Sequence, residues 1–184
     1  AMIVVLLFSI FFFQYTSEIL IERETKNLQE LNNSFLSRTD AELRELDNVS
    51  INIAYSSRIK KQLSEWMDVP AASDEFRNLT TLFMSINGTN LNADQINLYD
   101  YNGYLLRVGT KTNIYPIDLS TLDWMDEVSK NAGKKTISLP YATNDLKTSG
   151  TSSTPPTWYI SLYRTLQNSS KEEIGVIETM KKCS

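Results

Sequence analysis

The chain has 184 residues, enough for one domain with a real core, or one domain plus an extended accessory element. Its net charge is −4 and its basic residues are scattered, with Lys60-Lys61 and Lys134-Lys135 as isolated pairs, so no basic face suited to nucleic acid is expected. Histidine is absent, which excludes Ser-His-Asp and Cys-His catalysis and histidine-containing zinc sites, and the single cysteine, Cys183, cannot form an internal disulfide.

Met2 to Phe13 reads MIVVLLFSIFFF, with only Ser9 interrupting the apolar run. A spanning helix needs about 20 apolar residues, so this run is too short by itself. A signal-peptide core would be about this long, but it needs a basic leader and a small-residue cleavage site, and neither is present. The run reads first as the remnant of a first transmembrane segment, residues 1–14, with a buried core helix as the plainer alternative.

From Tyr15 to Met67 there is no Pro and no Gly. Leu28, Leu31 and Phe35, then Leu43, Leu46, Val49 and Ile53, then Ile59, Leu63 and Met67 recur mostly at steps of three and four. That is one apolar helix face, and the charged residues between them fit the solvated side. Residues 15–67 are therefore expected as a long amphipathic helix, on the order of 75 Å at 1.5 Å per residue, weakest near Thr39-Asp40. A rod of this kind serves as a strut, as a dimerising coiled coil, or as both. Asp68-Val69-Pro70 ends it, because proline disfavours helix in the residue before it.

A short helix over Asp74 to Ile86 follows, capped by Ser73, with Phe76, Leu79, Phe83 and Ile86 on one face and Asn87-Gly88 as its stop. The period then changes to two. Gln95 to Tyr101 and Tyr104 to Val108 read as strands of a hairpin around Asn102-Gly103, both residues tolerating positive φ. Ser120 caps a helix through Trp124 and Val128 to Gly133. Lys134 to Tyr141 is a third strand, Ala142 to Pro156 a loop, Thr157 to Gln167 a fourth strand and Ile174 to Met180 a fifth. Short turns between neighbouring strands favour an antiparallel sheet with helices packed on it, an α+β layout, with the sheet module in residues 68–184.

INLYDYNGYLLRVGT, the Asp123-Trp124 pair, GKKTISLPY, YISLYRTL and EEIGVIET, in this order, resemble an extracytoplasmic Cache domain, and more narrowly the sensor region of YesM-like sensor histidine kinases of Gram-positive bacteria. The resemblance covers most of residues 15–182. It implies a PAS-like five-stranded antiparallel sheet and a long N-terminal helix rising from a first transmembrane segment. It also implies an extracytoplasmic signal-sensing role in a two-component receptor, whose catalytic part and phospho-acceptor histidine lie outside these residues. A small ligand would sit between the sheet and the segment covering it, about Ile114 to Gly133.

Candidate ligand-binding residues carried over by position are Tyr99, Arg107, Trp124, Tyr141, Tyr159 and Tyr163. Arg107 offers a planar fork for a carboxylate and Trp124 a wall or cation-π face. Packing is the competing account for each aromatic. Amino-acid-binding double Cache domains carry an Arg two residues before the Trp and an Asp on the last strand; here those positions hold Leu122 and Glu178, which argues against an amino-acid ligand.

The expected partners are a small molecule or an extracytoplasmic protein, the cell membrane through the N-terminal anchor, and a second copy through the long helix. No cofactor, metal site, catalytic residue or nucleic-acid partner is expected. Two other readings share these features: the sensor domain of a chemotaxis receptor, and a pilin-like structural subunit. The pilin reading lacks an early Glu, since the first acidic residue is Glu18, well past the apolar run.

Overall fold

A computed structural model describes residues 2–64, 74–131, 133–146, 156–168 and 170–183. They fall into two compact units, 1–41 and 42–184. Helix α1 (Met2–Tyr55) contains no Pro or Gly and is unbroken. The weakening expected at Thr39-Asp40 is absent: the Thr39 hydroxyl folds back to donate to the Phe35 carbonyl (3.0 Å), a bond that a helix interior accommodates. The break comes instead at Ser56. Its hydroxyl accepts from Ile59 N (3.3 Å) and so caps α2 (Ser57–Ser64). The expected helix end at Asp68-Val69-Pro70 and the Ser73 cap lie outside the described residues.

In the first unit Phe8, Phe11, Phe13, Leu28, Leu31 and Phe35 face solvent. Among the described residues no helix is long and apolar enough to cross a membrane.

In the second unit the last turns of α1 do the packing. Leu46, Val49 and Ile53, at steps of three and four, are buried together with Leu79 and Phe83 of α3 (Asp74–Asn87). Burying each such side chain contributes about 1.5–3 kcal/mol. Asn87 closes α3: its side-chain amide donates to Ala93 O and accepts from Ala93 N, both at 2.7 Å. That pair fixes the chain's entry into the sheet.

The sheet comprises β1 (Gln95–Asp100), β2 (Tyr104–Gly109), β3 (Asn113–Pro116), β4 (Thr136–Ile137), β5 (Tyr141–Thr143), β6 (Thr157–Gln167) and β7 (Glu173–Lys182). It is antiparallel in the order β3-β2-β1-β7-β6-β4, with β5 also pairing β6. The long N-terminal helix and antiparallel sheet stand as expected, but the described strands number seven rather than five. One addition is β3, which pairs with β2 at the edge. The other arises because the expected third strand is split in two: Ser138-Leu139-Pro140 interrupts it, and proline has no donor for the ladder.

Alternation sends Ile96, Leu98, Leu106, Val108, Leu162 and Ile177 to the helix side of the sheet. Tyr99, Leu105, Tyr163 and Val176 go to the other side, where they pack under Leu119, Leu122, Trp124 and Met125. This covering segment differs from expectation at its start. Asp118, not Ser120, is the cap: it accepts from Ser120 N (3.0 Å) and opens a 3-10 turn, Leu119–Thr121. Helix α4 (Met125–Lys130) follows, starting only after Trp124. The β1-β2 turn also differs from a two-residue Asn-Gly turn. It has three residues, Tyr101 to Gly103, and only Gly103 takes positive φ (88°).

Candidate functional site

The register lines up four residues on the covered face of the sheet. Arg107 of β2 stands opposite Asn97 of β1, Asn97 opposite Glu178 of β7, and Glu178 opposite Tyr163 of β6. Period-two alternation gives each strand its facing residues; only the register, set by the β1-β7 pairing of distant segments, puts them in one row.

A cavity of about 350 Å³ opens above this row. Its floor is Asn97, Glu178 and Met180, its aromatic wall is Tyr99, Trp124, Tyr141 and Tyr163, and Arg107 and Asp145 lie to one side. Ser138 and Leu139, which lie where the third strand is split, complete the rim with Thr143 and Leu146. This size and mixture suit a small ligand.

Glu178 is buried, with 2% of its surface exposed. Its Oε2 accepts from Asn97 Nδ2 (2.8 Å) and from the Tyr99 hydroxyl (2.8 Å). Its Oε1 accepts from the Ser161 hydroxyl (2.6 Å) and the Tyr141 hydroxyl (3.1 Å). The Ser161 and Tyr141 oxygens lie 2.9 Å apart, but each hydroxyl has one proton, so with both donating to Glu178 neither donates to the other. Asn97 Oδ1 accepts from Gln95 Nε2 (3.1 Å). The carboxylate is thus ringed by neutral donors, and among the described residues no cationic side chain pairs with it. Burial first, and then the Glu178 charge, push the Tyr99, Tyr141 and Tyr163 hydroxyls well above the usual tyrosine value.

The rings are ordered by one another. Trp124 stacks on Tyr163 with centroids 4.4 Å apart and meets Tyr99 edge-on at 4.9 Å. Arg107 lies over the Tyr115 ring (5.2 Å) and reaches exposed Asp145 through Nη2 at 3.4 Å, while its Nε is buried without a partner. Among the described residues no cluster of three or more metal-ligating side chains occurs.

Of the six residues singled out from the sequence, the structure brings Tyr99, Arg107, Trp124, Tyr141 and Tyr163 to this cavity. Tyr159 is placed elsewhere: it pairs in register with Tyr141 but packs with Leu146 and Met180 instead of lining the wall. Leu122 packs in the apolar layer with Trp124. Asn97 and Ser161 join the site beyond the sequence expectation; each stands two residues from a candidate tyrosine on the same face, which is the signal that marks them. Asp145 carries no such signal, because it lies on a loop.

No protein-family model matches the chain, and no curated protein matches it. Solved structures do. The periplasmic sensory domain of the Campylobacter jejuni chemoreceptor Tlp1 is similar with a TM-score of 0.52 at 12% identity, over 82% of this chain and 57% of that one. The sensory domain of the Campylobacter jejuni chemoreceptor Tlp3, solved with isoleucine bound, gives 0.45 at 18% identity, over 84% and 62%. The extracellular domain of the candidate histidine kinase vpHK1S-Z8 gives 0.49 at 13% identity, over 85% and 60%. The chain thus spans roughly three fifths of the length of the solved chains it resembles. The likeness is one of fold.

Proposed function

We propose that this chain is the extracytoplasmic signal-sensing domain of a membrane-anchored two-component sensor histidine kinase, of the YesM-like kind found in Gram-positive bacteria. The observation that carries the reading is the cavity over the Arg107–Asn97–Glu178–Tyr163 row, bordered by the sheet and by Trp124 of the covering segment. The fold shared with the Tlp1 sensory domain supports it. In this reading the chain has no catalytic role, the apolar Met2–Phe13 run contributes the anchor, and α1 pairs two copies and carries the signal.

A physical route from cavity to helix exists within the second unit. Tyr163 faces the cavity, and its neighbour Arg164 faces the other way. Arg164 Nη2 donates to Asp47 Oδ1 (2.6 Å) and its Nε to the Ser50 hydroxyl (3.1 Å), both on α1. A ligand that favours one placement of β6 therefore biases α1, provided it binds that placement more tightly.

The test is a thermal-shift screen of small metabolites on the wild-type chain and on Trp124→Ala. Expected is at least one compound that raises the wild-type melting temperature and loses its effect on the variant. If none does so, direct small-molecule sensing fails and a protein partner takes its place. The Tlp1 likeness favours chemoreceptor output as a second reading. A kinase core encoded beyond Ser184 would support the first reading, and a methyl-accepting signalling region the second.

A further inference from the structure

We infer that the cavity takes a small organic cation whose nitrogen is fully alkylated, a quaternary ammonium, in preference to a primary amine. This rests on the sensor reading above and names the ligand class of that same cavity.

The first observation is charge. Glu178 is buried in the cavity floor with no cationic side chain bonded to it. A buried charge without a countercharge is costly, and a ligand cation would relieve it. Arg107 does not cancel this, because it lies on Tyr115 and is shared with Asp145. The described charged groups of the wall are two carboxylates, Glu178 and Asp145, against one guanidinium, Arg107.

The second observation is the state of the carboxylate's hydrogen-bonding sites. A carboxylate offers about four acceptor positions. Here Asn97, Tyr99, Tyr141 and Ser161 fill them. A primary ammonium carries three donors that need acceptors, and at Glu178 it would have to evict one of these side chains. A quaternary ammonium has no donor and uses only the field of the charge. The saturated carboxylate therefore discriminates between two cations of equal charge.

The third observation is the wall. Tyr99, Trp124, Tyr141 and Tyr163 line the same cavity, and aromatic rings attract an alkylated ammonium through their faces. Tyr99 and Tyr141 donate into the carboxylate, which leaves their rings richer in electrons than free phenols.

Titration calorimetry on the whole chain tests this with tetramethylammonium, choline and glycine betaine as probes. Ethanolamine serves as the primary-amine control and 3,3-dimethyl-1-butanol as the uncharged isostere of choline. Expected is that at least one quaternary probe binds and that choline binds at least tenfold more tightly than either control. Glu178→Gln should abolish the difference between choline and its uncharged isostere. Where Glu178→Gln fails to fold, Tyr141→Phe replaces it: the ring stays and one acceptor position is freed, so the preference for choline over ethanolamine should shrink several-fold. A control that binds as well as choline overturns the inference, as does an unchanged preference in Tyr141→Phe. If no quaternary probe binds while another metabolite stabilises the wild type and not Trp124→Ala, the inference falls and the sensor reading stands. If nothing binds, the inference falls and the sensor reading passes to a protein partner.

Discussion

Asp47 is held from two sides. Arg164, on β6, reaches one carboxylate oxygen, and Lys135, just before β4, reaches the other at 2.7 Å. Burial alone would raise the Asp47 carboxyl, but hydrogen bonds and charges from Lys135 and Arg164 outweigh it and hold the group below the usual 3.8. The depressed value belongs to the fold, so its stabilisation is complete above the ordinary carboxylate range and is lost as the pH falls through the folded value. Asp47→Asn should cost about 2 kcal/mol at pH 7, in the range for hydrogen bonds to charged groups. Urea titrations of both proteins should converge below pH 4, and a gap that persists unchanged there would refute the ion-pair account.

The tyrosines give the opposite sign. Tyr99 and Tyr163 ionise far above the usual 10.0, because burial and the Glu178 charge oppose the phenolate. Their contribution is complete below pH 10 and is lost as the pH rises beyond it, since the unfolded chain releases those protons first. Phenolate absorbance from these two should lag until the fold melts. A single smooth titration with no such lag would contradict their burial. Alternation alone shows that Tyr163 and Arg164 face opposite ways; it does not show that Arg164 meets Asp47, which lies 117 residues earlier.

Strand β7 carries the site because it can approach β1 closely. Gly175 is opposite Asp100, and a Cβ there would press on the Tyr99 carbonyl oxygen well inside contact distance. Gly175→Ala should therefore push β1 and β7 apart, costing about 1–3 kcal/mol as an overpacking change. It should also displace Tyr99, one of the four donors to Glu178. A shift in melting temperature with a parallel loss of near-ultraviolet aromatic signal is the expected readout; an unperturbed spectrum would show that the strands yield without moving the site. Strand existence was legible for β1 and β6 from period-two alternation, and for β2 and β7 from the turns that precede them. It failed for the third strand, where a tertiary pairing with β6 holds two short pieces on either side of Pro140. The helix expected from Ser120 also differs: Asp118 accepts from Ser120 N and caps a 3-10 turn, Leu119–Thr121, while α4 starts only after Trp124 and has no side-chain cap.

The apolar stripe of α1 is one pattern with two fates. Leu46, Val49 and Ile53 vanish into the core of the second unit, while Leu28, Leu31 and Phe35 remain 62–68% exposed in the first. Periodicity cannot separate these cases, because a helix face that packs on its own sheet and one that waits for a partner obey the same spacing. Exposed side chains of this size, repeated along a helix, are costly in water and suit a second copy of the same helix. Two consequences can be measured. Residues 42–184 contain the buried core clusters and should fold alone, with a melting temperature within a few degrees of the whole chain. Association should depend on residues 1–41: light scattering in mild detergent should give a dimer for the whole chain and a monomer for 42–184. Leu31→Glu with Phe35→Glu should separate the possible causes of that difference. These changes leave the Met2–Phe13 run intact, so a loss of dimer on making them assigns association to the helical stripe, and its survival assigns it to the apolar N-terminal run.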